Sequence, residues 1–232
     1  MTAKRKTTFL PLEDNSLKTL VEQQVREAII SGAYQPGERL VERDIATQLG
    51  ISRGPVREVL SALEKEGLVV SIQRRGSYVA KFSATDIDEI YSLRLLLEVT
   101  ALHRAVERIT ETEIARMQEI VDALGSLAQE QPTSSETIKQ DLLFHEAICQ
   151  AAEHRRLYDM WNSMRWQTQL LIALTAKTHY ARPDESKTYH EAIVQAIRTR
   201  DGIAAEKLLT EHIRDAQRRA LQALSLQDQD LQ

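Results

Sequence analysis

Residues 42–76 constrain the fold more than any other part of this chain of 232 residues. A short apolar-periodic run carrying Ile45 and Leu49 stops at Gly50, and Ser52 then stands where a helix N-cap belongs. Pro55 falls in the first turn of the following helix, where a missing amide hydrogen costs little, and Val56, Val59, Leu60 and Leu63 form its apolar stripe. Residues 68–72 and 77–81 are short, β-rich and separated by Gln73-Arg74-Arg75-Gly76, the pattern of a two-stranded wing. Upstream, Leu17, Leu20, Val21, Val25, Ala28 and Ile29 have helical spacing, and Pro36-Gly37 makes a turn. Three helices and a wing in this order predict a winged helix-turn-helix.

The formal net charge of -4 speaks against a nucleic-acid binder until its placement is considered. Residues 1–81 hold 13 Lys/Arg against 10 Asp/Glu, whereas residues 82–232 hold 17 against 24, so a basic head precedes an acidic body. If Ser52 caps the second helix of the motif, Arg53 and Arg57 lie four apart on its exposed face, at the end that enters a major groove. Gly54 keeps that backbone close to the groove and the Ser52 hydroxyl can reach a phosphate, while Arg43, Arg74 and Arg75 add charge on both flanks. The alternative is a set of solvated arginines on an ordinary three-helix domain.

These residues resemble the GntR family of bacterial transcription regulators through Pro36-Gly37-x-x-Leu40, Glu42-Arg43-x-Ile45-Ala46, Gly50-x-Ser52-Arg53-x-Pro55-Val56-Arg57-Glu58-x-Leu60, Leu63-x-x-x-Gly67-Leu68 and Arg75-Gly76-x-x-Val79. The resemblance covers residues 17–81. It implies that Arg43, Ser52, Arg53, Gly54, Arg57 and Gly76 contact double-stranded DNA, and that a homodimer binds a near-palindromic operator.

Beyond Phe82 the strand signal disappears. Ser83-x-x-Asp86, Thr110-x-x-Glu113 and Thr133-x-x-Glu136 each have the capping-box form ahead of an apolar-periodic run. Six helices are predicted, over 84–108, 111–130, 135–153, 155–178, 185–200 and 203–223, with a Gln/Asp-rich tail fraying from Ser225. The fold class is therefore mainly α: a winged helix-turn-helix over residues 10–81, an all-α antiparallel bundle of six helices over 82–224, and a loose tail over 225–232. The single cysteine, Cys149, excludes an internal disulfide framework. Residues 1–6 carry no signal-peptide pattern, and the longest apolar stretch, 170–174, is too short to span a bilayer. A cytoplasmic location without a membrane partner is expected.

Within the third of these helices Asp141 and His145 sit four apart in the stripe Ile138, Leu142, Ile148, Cys149 and Ala152. A bare ionised carboxylate there is expensive, so it needs a partner or a metal. His190 and His212 share apolar stripes of the last two helices, and lie 11 residues before Asp201 and 10 after Gly202. In an antiparallel hairpin they stand at nearly the same height. Asp141, His145, His190 and His212 can converge on a divalent cation, with zinc first and nickel, iron or manganese as alternatives. The competing reading pairs Asp141 with His145 and leaves the other two as satisfied core histidines. His103, His154 and His179 show no convergence and read as surface or helix-end residues.

This half resembles the FCD effector domain of the FadR-like branch of the same family. The matches are Leu93-Arg94-x-x-Leu97-Glu98, Asp141-x-x-Phe144-His145, His190-x-x-Ile193-x-x-Ala196-Ile197-x-x-x-Asp201 and His212, spanning residues 86–215. The resemblance implies the same four ligands and a small carboxylate effector anchored by Arg94, with Arg165 a weaker candidate. A structural pair of Arg94 with Glu98 is the alternative. His154 departs from the asparagine common in the family. The expected activity is operator binding controlled by that effector, with either repressor or activator as the output. A metal-free pocket for a lipid-like or apolar anion is the competing reading. A metal-dependent hydrolase is disfavoured because His145-Glu146-Ala147-Ile148-Cys149 lacks the second histidine of H-E-x-x-H and Glu146 falls off the buried stripe.

Overall fold

The computed structural model describes residues 15–179 and 183–229. The head comprises α1 (Asn15–Ile30), β1 (Arg39–Leu40), α2 (Glu42–Leu49), α3 (Arg53–Lys65), β2 (Val69–Ile72) and β3 (Gly76–Val79). Gly50 ends α2 by turning left-handed at φ 66°, and the Ile51 amide reaches back to the Ala46 carbonyl at 3.0 Å. The chain thus re-enters helix at Ser52 with α3 laid across α2. Val21, Val25 and Ile29 of α1, Ile45 of α2, and Val56, Val59, Leu60 and Leu63 of α3 close one apolar core with Leu68, Val69 and Val79.

The sheet has the order β1-β3-β2, all antiparallel, with Val69 opposite Val79, Ile72 opposite Gly76, Arg39 opposite Tyr78 and Leu40 opposite Ser77. The two-stranded wing is present, but β1 joins it as a third strand. Two residues carry no legible alternation, so this strand has no sequence signal; the pairing of the Gly37 amide with the Val79 carbonyl at 2.9 Å holds it in place.

The body consists of α4 (Ala84–Arg108), α5 (Glu111–Glu130), α6 (Ser135–Ala151), α7 (Arg155–His179), α8 (Pro183–Arg198) and α9 (Gly202–Gln229). Capping boxes at Ser83 with Asp86 and at Thr110 with Glu113 open α4 and α5 where they were expected. The third box is corrected to a simple N-cap one residue later: Ser134, not Thr133, caps α6, accepting from the Thr137 amide at 3.1 Å. The tail is corrected too. Because Ala220 and Ala223 stay buried and Leu221 and Leu224 pack on the core, α9 continues through Ser225 to Gln229; residues 230–232, like 1–14 at the other end, lie outside the described ones.

α4 lies against α6, α7 and α9, and α5 against α6 and α8, around Tyr91, Leu102, Met117, Phe144 and Trp161. Arg200, left-handed at φ 58°, pins the α8–α9 turn to the end of α4 by donating to the carbonyls of Val106 and Ile109. That clamp fixes how α8 and α9 present their inner faces to α6. The head meets this body along α7: Leu170 enters the head's core, and the Arg26 guanidinium lies 4.1 Å over the Trp166 ring. No described helix is long and apolar enough to cross a membrane.

Candidate functional site

Two sites emerge, one on the surface of the head and one inside the body. On the head, Ser52 stands at the N-cap of α3 in an extended conformation (φ -76°, ψ 163°), yet its hydroxyl makes no capping bond and remains available. Arg53 and Arg57 project from the first turns of α3 with side chains 61% and 66% exposed, and Arg43 projects from α2. A Cβ added at Gly54 would meet nothing within 4 Å among the described residues. Arg74 and Arg75 form the wing turn, with Arg74 left-handed at φ 64°, and Gly76 follows at φ 104°. A side chain at Gly76 would also press within 3.3 Å of the Arg39 guanidinium. Arg39 is thus a further cation of this face, invisible to sequence reasoning because β1 itself is.

Inside the body, α6 supplies Asp141 and His145 on one face, α8 supplies His190 and α9 supplies His212. Each offers one ligand atom, and the four atoms lie within 4.8 Å of one another. His145 Nε2 and His212 Nε2 are 3.2 Å apart, as are His190 Nε2 and Asp141 Oδ1. The edge of the Phe144 ring packs against His190 at 4.6 Å between centroids, giving the polar group an apolar wall. Two metal–ligand bonds of about 2.0–2.1 Å meeting near the tetrahedral angle separate their donor atoms by about 3.3 Å. The two 3.2 Å separations match that spacing, and three nitrogens with one carboxylate oxygen are a donor set suited to a borderline divalent cation.

Glu98 of α4 organises this cluster. Its Oε2 lies 2.6 Å from His145 Nδ1, while its Oε1 accepts from Arg94 Nε at 2.8 Å and from Trp161 Nε1 at 3.1 Å. Burial alone would raise the Glu98 carboxyl, but the Arg94 charge and then His145 hold it down at about 2. Glu98 thereby orients the His145 ring, with Nε2 on the side that faces the cluster. Burial, followed by the neighbouring imidazoles, pushes His212 well below the usual imidazole range, which favours its neutral form. Tyr91, beside Asp141, Glu98 and Arg94, is pushed up to about 12 by burial and stays an uncharged phenol.

The Arg94–Glu98 pair expected as one alternative is therefore present, fully buried. Arg165 is engaged elsewhere: it pairs with Glu146 at 3.4 Å and lies 4.7 Å over the Trp166 ring. Glu146 corrects the sequence reading. It is buried rather than turned outward, because α7 covers that side of α6 and Tyr158 Oη donates to it at 2.6 Å. His103 is exposed and pairs with Glu206, while His154 Nδ1 accepts from the Leu157 amide at 3.3 Å and so caps α7, a role asparagine also fills. The side chain of His179 lies outside the described residues.

Residues 17–79 match the model of the bacterial regulatory proteins of the gntR family, and residues 89–215 match that of the FCD domain. The chain is 30% identical over 201 residues to the gluconate operon transcriptional repressor of Bacillus subtilis, covering 85% of this chain and 82% of that protein. It is 27% identical over 199 residues to the transcriptional repressor RspR of Escherichia coli, covering 84% and 86%. A GntR transcriptional regulator from Rhodococcus sp. RHA1, solved by crystallography, superposes with a TM-score of 0.77 at 26% identity, over 90% of this chain and 99% of that one. These relatives are regulators, which removes the hydrolase reading. A winged helix-turn-helix with an arginine-bearing α3, joined to a helical bundle enclosing a histidine-rich centre, and matched along both parts, places the chain in the GntR family as a DNA-binding transcriptional regulator with an FCD domain.

Proposed function

We propose that operator affinity is controlled by a small carboxylate effector bound beside a divalent cation, which Asp141, His145, His190 and His212 would hold. The observation that carries this reading is the convergence of four ligand atoms within 4.8 Å inside an apolar bundle. Charge supports it as well. Arg94, Glu98 and Asp141 together carry one formal negative charge; a divalent cation turns that sum into one positive charge, which one carboxylate balances. The cation would supply a Lewis-acidic point for a carboxylate oxygen, and Arg94 the second point of attachment. Zinc suits three imidazoles and one carboxylate, with nickel, iron and manganese as alternatives.

On the head, Arg43, Ser52, Arg53, Gly54, Arg57, Arg74, Arg75 and Gly76 are the residues proposed to meet the duplex. The functional units are residues 10–81 for DNA and 82–224 for effector binding and dimerisation. Leu93 and Leu96, 46% and 64% exposed on one side of α4, support a homodimer through that helix, which would present two heads to a near-palindromic operator in the cytoplasm.

The test combines elemental analysis of the purified protein with titration of a selected operator duplex in the presence of candidate small acids. Bound metal near one equivalent per chain, lost in the double variant His190→Ala, His212→Ala, together with an acid that changes operator affinity, is expected. Failure of the wild type to take up metal after reconstitution, with an apolar anion still altering DNA binding, would establish the metal-free pocket instead.

A further inference from the structure

An acid stands in the middle of the cationic face of the head. Glu42, the first residue of α2, accepts from Arg57 Nε at 3.1 Å with its Oε1, and from Arg57 Nη2 at 3.0 Å and Arg53 Nη2 at 3.3 Å with its Oε2. Its side chain is 26% exposed against 61% for Arg53 and 66% for Arg57, so the carboxylate sits beneath the two guanidinium groups rather than in front of them. The N-terminus of α2 favours a negative charge at this position, and Val41 before it makes no side-chain cap. The Glu42 carboxyl is lowered by its bonds to Arg57, which keeps it ionised.

A carboxylate on a face that meets phosphates reduces the counterion-driven part of DNA affinity. Its use must lie elsewhere. A guanidinium carries five N–H donors, and side-on pairing through Nε and Nη2 consumes one edge of Arg57. The edge left to point outward is the terminal one, formed by Nη1 and the remaining Nη2 hydrogen. Two parallel donors at that end match O6 and N7 of guanine, whereas the side-on edge that could have gripped a phosphate is taken. Glu42 and Arg57 both line the notch between α3 and the wing, together with Arg74 and Gly76.

We infer that Glu42 is a specificity-determining residue: by holding the side edge of Arg57 it commits that arginine to reading a guanine in each half-site and withdraws it from general phosphate binding. Glu42 is a positioning residue in this scheme, acting on the base through Arg57. The inference rests on the proposal that Arg53 and Arg57 face the duplex.

The test is selection of binding sites from a randomised duplex library by the full-length wild type, Arg57→Ala, Glu42→Ala and Glu42→Gln, followed by titration of the wild-type consensus and a scrambled duplex at two salt concentrations. The wild type should enrich one guanine per half-site that Arg57→Ala no longer selects. Glu42→Ala should lose about tenfold in preference for that guanine, bind the scrambled duplex as tightly as the wild type or more so, and show a steeper salt dependence by about one counterion. Glu42→Gln, retaining one acceptor oxygen, should fall between the two. Unaltered guanine preference in Glu42→Ala overturns the role of Glu42, and so does equal weakening on both duplexes, which marks a merely structural ion pair. A wild type that enriches no Arg57-dependent base removes the parent assignment of Arg57 instead. Thermal melting of each variant shows whether the head is folded, and Glu42→Gln carries the test if Glu42→Ala is not.

Discussion

Glu98 makes three polar contacts through its two oxygens, and each partner is buried with it. Replacing it by glutamine keeps the volume but leaves Arg94 as an unpaired buried charge, a loss of about 3–5 kcal/mol. It also alters the bond that orients the His145 ring, which should weaken binding of the proposed divalent metal by about 10- to 100-fold. Urea melts of the metal-free variant and a metal titration read the two effects separately. A pH dependence follows from His212, whose folded form resists protonation more than the unfolded chain does. The stability it contributes is complete above the unfolded value of about 6.5 and is lost as pH falls below it. Urea midpoints of the metal-free protein should therefore decline from pH 7.5 to pH 5. His212→Gln, which cannot titrate, should flatten part of that slope. Among single residues, spacing alone sufficed to align Asp141, His145, His190 and His212. It could not join Glu98 to His145, 47 positions apart on another helix, nor show that Glu146 is covered, since both depend on how α4 and α7 pack on α6.

Helix starts are local chemistry, and two of the three capping boxes are where their spacing put them. The third was ambiguous because Thr133 and Ser134 are adjacent hydroxyl residues. Thr137 decides between them: its amide donates to Ser134 Oγ and its own hydroxyl to the Gln131 carbonyl at 2.6 Å, which fixes the register of α6. Ser134→Ala should cost about 1 kcal/mol, whereas Thr133→Ala should change little, by denaturant unfolding. β1 is the opposite case. A strand of two residues exists only because β3 is there to pair with it, so no local pattern could have announced it.

In the whole molecule α7 is the element common to both parts. Trp161 on it donates to Glu98, Arg165 pairs with Glu146 next to His145, and Trp166 and Leu170 meet the head. Arg26 is shared between Trp166 and the carboxylates of Glu22 and Glu66, so the guanidinium ties α1 and the end of α3 to the body. Gly67, left-handed at φ 74°, brings the head's backbone so near Gln167 that a Cβ there would collide with the glutamine side chain. Trp166→Ala should lower the stability of the head by about 1–2 kcal/mol through loss of the guanidinium stacking. Faster hydrogen exchange in α1 and α3, with metal affinity unchanged, is the expected signature.

By itself the sequence determined the helices, the glycine turn, the arginine-bearing face and which acid and imidazoles look inward, because periodicity, capping and backbone conformation act over a few residues. Tertiary structure decided which groups satisfy which: that Glu98 serves Arg94, His145 and Trp161 at once, that Glu42 lies under Arg57, and that α7 carries the contact between head and body. Those are contacts between segments far apart in the chain, and they exist only once burial forces each polar group to find a partner across a packed interface.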